Sequence, residues 1–300
     1  MVTLTNIHGL PRTIVNALKR DPYSRGNADA SITEIIGSPR IRMMRQKWRS
    51  EITEDVSERI WSLFGSALHH VVERGADSSH IVEERLFVEV LRMKISGAID
   101  LQEIVGTTED GMPIVDIYDY KTTGVWSVMN PKEDWDRQLN CYAYLIEKAK
   151  GWKVNSLNIV AVIRDWSKAK ARTTANYPVA PMQVVPIKLW SFDEREAYVQ
   201  ERISIHQDAD RASQWGESLP LCSDEDRWFK PGKLAVMKQG RAKAVKLFEA
   251  GQMDEATAYA GLISGTVEAR PGQNTRCQEY CPVAEWCDQF QSMKGEQEDE

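Results

Sequence analysis

Between residues 13 and 76 apolar positions recur at helical spacing, most clearly at Ile60, Leu63, Phe64, Ala67 and Leu68. Gly37 and Pro39 break this run once, and the second half predicts an amphipathic helix that ends near Gly75. The pattern then changes to short β-rich segments at about 84–90, 93–101, 113–120, 157–164 and 183–190. Between the third and fourth of these lies DWDRQLNCYAYLIEKAKG, a helical pattern closing on Gly151, so strand, helix and strand predict a βαβ crossover. The class is therefore α/β. Beyond about residue 194 the pattern is helical again, interrupted by ESLPLCSDEDRWFKPG, and it closes with a cysteine-rich segment and an acidic tail. No internal repeat and no long linker is readable.

Composition agrees with a globular fold: 300 residues, 42% hydrophobic and 27% charged, exclude disordered and fibrous classes. A chain of this length buries roughly 75% of its extended surface, enough for a full core without disulfide staples. Its longest apolar run is six residues, Cys141 to Ile146, against the roughly 20 needed to span a bilayer, so no membrane partner is expected. The opening MVTLTNIHGLPRTIV does not read as a secretory signal, and an intracellular, cytoplasmic protein is expected. The net charge is −6, but the last six residues, GEQEDE, carry four acids and no base, leaving the body near balance. Local clusters then carry more information than the total. Arg40, Arg42, Arg45, Lys47 and Arg49 form one basic stretch; Lys233, Lys238, Arg241, Lys243 and Lys246 form another. Each reads either as a solvated helix face or as a phosphate track.

In the strand IVDIYDYKTT, residues two apart share a face, so Asp119 and Lys121 point together while Tyr120 points away. Nineteen residues earlier, KISGAIDLQ carries Asp100, and pairing of the two strands would bring both carboxylates to one space. Hard oxygen ligands of this kind suit Mg²⁺ or Mn²⁺, and a nearby lysine can orient an attacking water, an arrangement for phosphodiester hydrolysis. Taken alone, such acids and lysines are more often solvated or salt-bridged. Gly65 and His69 lie one turn apart on the amphipathic helix, where the glycine would let the helix approach the sheet and project the imidazole. Gln138 and Tyr142 share a face of the later helix in the same way. Singly, His69 reads as a half-buried structural histidine and Tyr142 as a core aromatic.

Together, G-x-x-x-H, G-A-I-D, D-Y-K and Q-x-x-x-Y, in that order over residues 60–165, resemble the RecB-like branch of the PD-(D/E)xK nuclease superfamily. The resemblance implies a restriction-endonuclease-like core, a mixed central sheet flanked by helices, with helical N- and C-terminal additions. It implies an N-terminal helical segment over 1–57, a nuclease core over 58–205, a helical and cysteine-rich segment over 206–294 packed on that core, and a tail over 295–300. His69, Asp100 and Asp119 are implied as metal ligands together with the Tyr120 carbonyl, Lys121 as the residue that positions water, and Gln138 and Tyr142 as a substrate-side pair. Where the family often has glutamate, this chain has Asp119. The flanks PRIRMMRQKW, LPLCSDEDRW and RPGQNTRCQEYCPVAEWC are similar to phage-type exonucleases of DNA recombination or replication. The implied function is a Mg²⁺- or Mn²⁺-dependent deoxyribonuclease acting on DNA, with a single-strand annealing or replication protein as a partner. A structure-selective endonuclease and a non-catalytic nucleic-acid-binding module are the alternatives; the intact set His69, Asp100, Asp119 and Lys121 favours the enzyme.

Of five cysteines, Cys141 reads as a small core residue. Cys277, Cys281 and Cys287 follow C-x3-C-x5-C, too close for independent buried thiols and, in an intracellular chain, not expected as disulfides. With Cys222 they could hold either tetrahedral Zn²⁺ or an iron–sulfur cluster. CPVAEWC resembles the ending of RecB-like nucleases that carry a [4Fe-4S] cluster, although Cys222 lies downstream of the nuclease motifs where such nucleases place the remote cysteine upstream. Ten tryptophans include Trp48, Trp166 and Trp228 beside basic residues, where base stacking and core packing are both open. DNA contacts are expected at Arg40, Arg42, Arg45 and Lys47 and, just past a strand near the site, at Arg164 and Lys168.

Overall fold

The computed structural model describes residues 2–19 and 25–298, with side chains to residue 294, so the acidic tail lies outside the described side chains. The chain divides into two compact units, Met1–Pro39 with Arg49–Glu217, and Arg40–Trp48 with Ser218–Glu300. The first unit begins with β1 (Thr3–Thr5), α1 (Arg12–Lys19), β2 (Ala30–Ser31) and α2 (Ile32–Ile35). After α3 (Pro39–Lys47), most of which belongs to the second unit, come β3 (Thr53–Asp55), α4 (Ile60–Val72), β4 (His80–Val90), β5 (Met93–Thr107) and β6 (Pro113–Thr123). The unit continues with α5 (Val125–Met129), α6 (Glu133–Lys150), β7 (Lys153–Ile163), α7 (Lys168–Thr173), β8 (Met182–Ile187) and α8 (Phe192–Trp215). No helix among the described residues is long and apolar enough to cross a membrane.

The segment expected to be helical up to residue 57 contains three short strands as well. Local chemistry explains the interruptions. Ser31 caps α2 in a capping box with Glu34, which holds the preceding backbone extended, and Asp55 caps the turn of 3₁₀ helix before α4 by accepting from Ser57 N.

Six strands of the described residues form the central mixed sheet, in the order β2-β5-β6-β7-β8 with β4 on the other edge of β5. The expected crossover is present: β6 and β7 run parallel, joined by α6, whose last turn ends at Gly151 in the left-handed conformation (φ 68°). Acids in its first turn and lysines in its last complement the helix dipole. Buried Asn140 anchors α6 by donating to Lys188 O and accepting from Trp190 N. The core lies between this helix and the sheet, with Ile95, Ile99, Ile117, Leu139, Leu145 and Ile159 almost wholly enclosed.

One feature of the sheet positions the site. Along one edge β5 pairs antiparallel with β4; along the other it pairs with β2 at Ile95 and Ser96 and with β6 from Leu101 onward. Residues 97–100 therefore face an opening between β2 and the diverging end of β6.

In the second unit, the chain expected to be helical again beyond the ESLPLCSDEDRWFKPG interruption instead forms a small antiparallel sheet. It adds β9 (Phe229–Lys230), β10 (Lys233–Met237), β11 (Lys246–Glu249), α9 (Met253–Leu262), β12 (Thr266–Arg270), β13 (Gln273–Asn274) and α10 (Asp288–Glu298). β10 lies between β11 and β12, and Leu234, Val236 and Phe248 pack with α9 through Ala256 and Ala260. The basic stretch from Lys233 to Lys246 is thus a hairpin whose turn includes Gly240 at φ 83°, a conformation glycine adopts without steric cost.

Candidate active site

The opening beside β5 borders a large open cavity of the first unit, lined among others by Ser31, His69, Asp100, Asp119, Lys121 and Tyr142. Residues from β5, β6, α4 and α6 meet there. Strand periodicity puts Asp119 and Lys121 together as expected, with Lys121 Nζ 2.7 Å from Asp119 Oδ2. Tyr120 turns the other way, its ring edge-on to His69 at 6.0 Å, and its backbone N–H donates to Asp100 Oδ2 at 2.8 Å. Gln138 Nε2 donates to Tyr142 Oη at 2.7 Å and lies 3.3 Å from Asp119 Oδ1. The helix pair and the strand pair are therefore one connected network.

His69 reaches the site from α4. Its Nε2 is 3.4 Å from both Asp100 Oδ2 and the Tyr120 carbonyl, and its Nδ1 is 2.9 Å from Glu83 Oε1. Sequence reasoning missed Glu83. The register of β4 on β5 pairs Val82 with Leu101 and Glu84 with Ile99, so Glu83 sits opposite Asp100 without bridging it, at φ 50°. A positive φ is uncommon for a residue with a side chain. No motif signals such a distortion; the tertiary pairing produces it.

The electrostatics follow from burial and neighbours. Burial first, and then the facing Asp119 carboxylate, push Asp100 up to about 7. The hydrogen bond to Glu83, aided by Asp100, raises His69 to about 9 although burial opposes this. Burial also opposes the charge of Lys121, but Asp119 and Asp100 outweigh it and raise its pKa.

The expected role of Gly65 is not the one it fills. A Cβ at Gly65 would meet no atom within 4 Å, so the residue leaves the cavity wall open and permits no closer packing. The close approach lies at Gly97, where a Cβ would stand 2.7 Å from the Tyr142 ring and 2.8 Å from Leu145.

A family model described as the PD-(D/E)XK nuclease superfamily matches residues 18–288. The chain belongs to the PD-(D/E)XK nuclease superfamily. Among solved structures, a protein named SSO0001 is 14% identical, with a TM-score of 0.42, over 64% of this chain and 84% of that one. A protein from Eubacterium rectale named "Putative exonuclease" is 15% identical, with a TM-score of 0.28, over 54% of this chain and 58% of that one. No curated protein sequence matches the chain.

PD-(D/E)XK nucleases use divalent metals, and the donor set here fits one. The ligand atoms of His69, Glu83 and Asp100 lie within 4.8 Å of one another, and an imidazole with carboxylates is a set that Mg²⁺ or Mn²⁺ accepts. A buried Asp100 whose proton affinity is raised by burial and by the facing Asp119 carboxylate is the electrostatic arrangement a cation relieves. Asp119 stands outside the tightest group, tied to Lys121 and Gln138.

In the second unit of this superfamily member, Cys222, Cys277, Cys281 and Cys287 line one small cavity with Arg40. Cys141 is a core residue, its thiol pushed up to about 12 by burial. The basic stretch on α3 requires a correction. Arg40 and Arg42 are 2% and 7% exposed, and Arg40 donates to Leu219 O at 2.9 Å and to Asp288. Buried guanidinium groups do not track a phosphate backbone; Arg45 and Lys47, further along the helix, are exposed. Arg164 and Lys168 are also exposed. Trp48 stacks on Trp286 at 5.5 Å and Trp166 Nε1 donates to Pro178 O, so both are packing residues, while Trp228 is half exposed beside Arg276.

Proposed function

We propose that this chain is a Mg²⁺- or Mn²⁺-dependent deoxyribonuclease of the RecB-like branch, working as a phage-type exonuclease. The observation that carries this reading is the meeting of His69, Asp100, Asp119, Lys121, Gln138 and Tyr142, from four separate elements, around one open cavity. His69, Asp100, Asp119 and the Tyr120 carbonyl would hold the metal, which when bound polarises a phosphate and acidifies a water. Lys121, kept charged by Asp119 and Asp100, orients the attacking water. Gln138 and Tyr142 form a hydrogen-bonded pair on the substrate side of Asp119. Glu83 accepts the Nδ1 proton of His69 and so turns Nε2 toward Asp100 and Tyr120, where a bound metal would take the place of the Nε2 proton, the orienting role a carboxylate plays behind a ligating imidazole. Arg45, Lys47, Arg164 and Lys168 would contact the DNA backbone. Such an enzyme would act in recombination, repair or phage replication, in the cytoplasm of a bacterium or a phage-infected host.

The cysteine cavity of the second unit would hold a [4Fe-4S] cluster in preference to zinc. One tetrahedral Zn²⁺ draws four sulfurs to about 3.8 Å from one another. A [4Fe-4S] cluster instead takes each thiolate at a separate iron, and the reading rests on the four cysteines lining one cavity and on the resemblance of CPVAEWC to the ending of cluster-bearing nucleases.

End-labelled linear, circular and branched DNA incubated with Mg²⁺ would test the assignment. Linear DNA should be degraded from an end and circles spared, and Asp119→Asn or Lys121→Ala should abolish cleavage while the protein stays folded. Full cleavage by either variant would sink the reading.

A further inference from the structure

Helix α4 is apolar along its length and yet none of its residues is fully buried. Leu63 and Leu68 are half-buried, whereas Trp61 and Phe64 are 55% and 53% exposed, with ring centroids 5.9 Å apart. The Arg164 guanidinium lies over the Trp61 ring at 3.8 Å. An exposed tryptophan with a cation over its ring is still more than half open to solvent here, and that open ring surface is available to a ligand.

The position of this cluster relative to the site is fixed by two independent paths. Trp61, Gly65 and His69 are successive turns on one side of α4, which puts Trp61 about 12 Å along the helix from the imidazole. Arg164 N donates to Thr123 O at the end of β6, about 13 Å along that strand from Asp119. The aromatic pair therefore stands at the rim of the cavity that holds the proposed reaction centre. Two further features extend it. Trp126, 74% exposed, opens α5 directly after β6, and Val125 N donates to Asp165 Oδ1, so this tryptophan belongs to the same end of the sheet. Beyond Arg164, the exposed residues Lys168, Lys170 and Arg172 follow on α7 with Asp165 as the sole acid from 164 to 172.

Aromatic faces interleaved with cations beside a phosphodiesterase centre match one chemistry, a nucleic-acid strand whose bases are unpaired. In a duplex the faces of the bases are occupied by their neighbours; in a single strand they stack on protein rings while the phosphates meet the cations. We propose that Trp61 and Phe64 form a base-stacking platform, with Arg164, Lys168, Lys170 and Arg172 as its phosphate track, that receives single-stranded DNA next to the active site. The inference rests on the nuclease reading and deepens it by naming the strand state of the substrate.

The test uses the full chain carrying Lys121→Ala, which prevents turnover, with and without Trp61→Ala. Binding is measured by fluorescence anisotropy on a labelled oligothymidine, on an abasic strand of equal length and on a blunt duplex. Trp61→Ala should weaken oligothymidine binding about tenfold, the scale of one lost base stack, and Trp61→Phe should restore most of it. Binding of the abasic strand and the duplex should change by less than about twofold, since neither offers a base face to the ring. Both rings are exposed, so melting temperatures should be unchanged, which separates lost contact from lost fold. Equal losses on all three probes, or none on oligothymidine, would overturn the platform and leave the patch to a protein partner. Failure of the parent protein to bind any DNA would overturn the nuclease reading and the platform with it.

Discussion

Glu83 shows how much of the site depends on one residue's backbone. Its positive φ and its position opposite Asp100 place the carboxylate on His69 Nδ1, and that contact determines which imidazole nitrogen faces Asp100. Glu83→Ala should lower Mn²⁺ affinity by about 10- to 100-fold, as loss of such an orienting carboxylate commonly does. Isothermal titration checks this, and an unchanged affinity would make Glu83 an ordinary surface acid. The pH dependence has a definite sign. Asp100 is raised from 3.8 to about 7, so in the metal-free protein its ionisation is resisted by the fold and stability falls as pH rises across that window. His69 is raised from 6.5 to about 9, so its contribution is full below 6.5 and lost as pH climbs through 9. A divalent ion held by these residues would take the place of the imidazole proton and neutralise the carboxylates. The melting-temperature gain from Mn²⁺ over EDTA should therefore grow from pH 6 to pH 9, and a gain independent of pH would contradict these environments.

At the scale of elements, the decisive contact is between α6 and β5. Gly97 lets the Tyr142 ring and Leu145 come within a distance that any side chain at 97 would occupy. Gly97→Ala should cost about 1–3 kcal/mol in urea unfolding, the usual penalty for overpacking a core. It should also reduce cleavage beyond what the stability loss explains, because Tyr142 and Gln138 would be displaced together from Asp119. Stability equal to the parent's would mean that α6 yields without strain. The same scale explains α4: a helix expected to bury Phe64 and Ala67 leaves them exposed, because it lies at the rim of the sheet's opening. Hydrophobic periodicity identifies such a helix and its apolar side, but it does not say whether another element covers that side.

At the scale of the whole molecule, the second unit gathers residues far apart in sequence. Arg40, Cys222 and Asp288 converge there, and Arg40, 2% exposed, pairs with Asp288 while donating to Leu219 O. Arg40→Ala removes those bonds and should cost about 1–3 kcal/mol. Were the proposed cluster held by these cysteines, Cys281→Ser should reduce bound iron as well as thermal stability, because a cluster formed only in the folded unit would stabilise that fold. Elemental analysis of protein purified without oxygen checks it; iron retained at full occupancy would exclude Cys281 from the centre, and zinc in its place would replace the cluster.

The sequence by itself determined the βαβ crossover with its Gly151 stop, the alternation that joins Asp119 to Lys121, and the helical spacing that joins Gln138 to Tyr142. These are short-range consequences of periods of two and of about three and a half residues, fixed by backbone geometry before any packing. Tertiary structure alone decided the rest. The fork between β2 and β6, the distorted Glu83, the burial of Arg40 and Arg42 and the exposure of Trp61 all depend on which distant segments share an edge or a surface. The hairpin in place of a basic helix from Lys233 to Lys246 has the same origin. Charge and apolarity state what a side chain prefers, and the long-range pairing of strands and helices decides whether that preference is met.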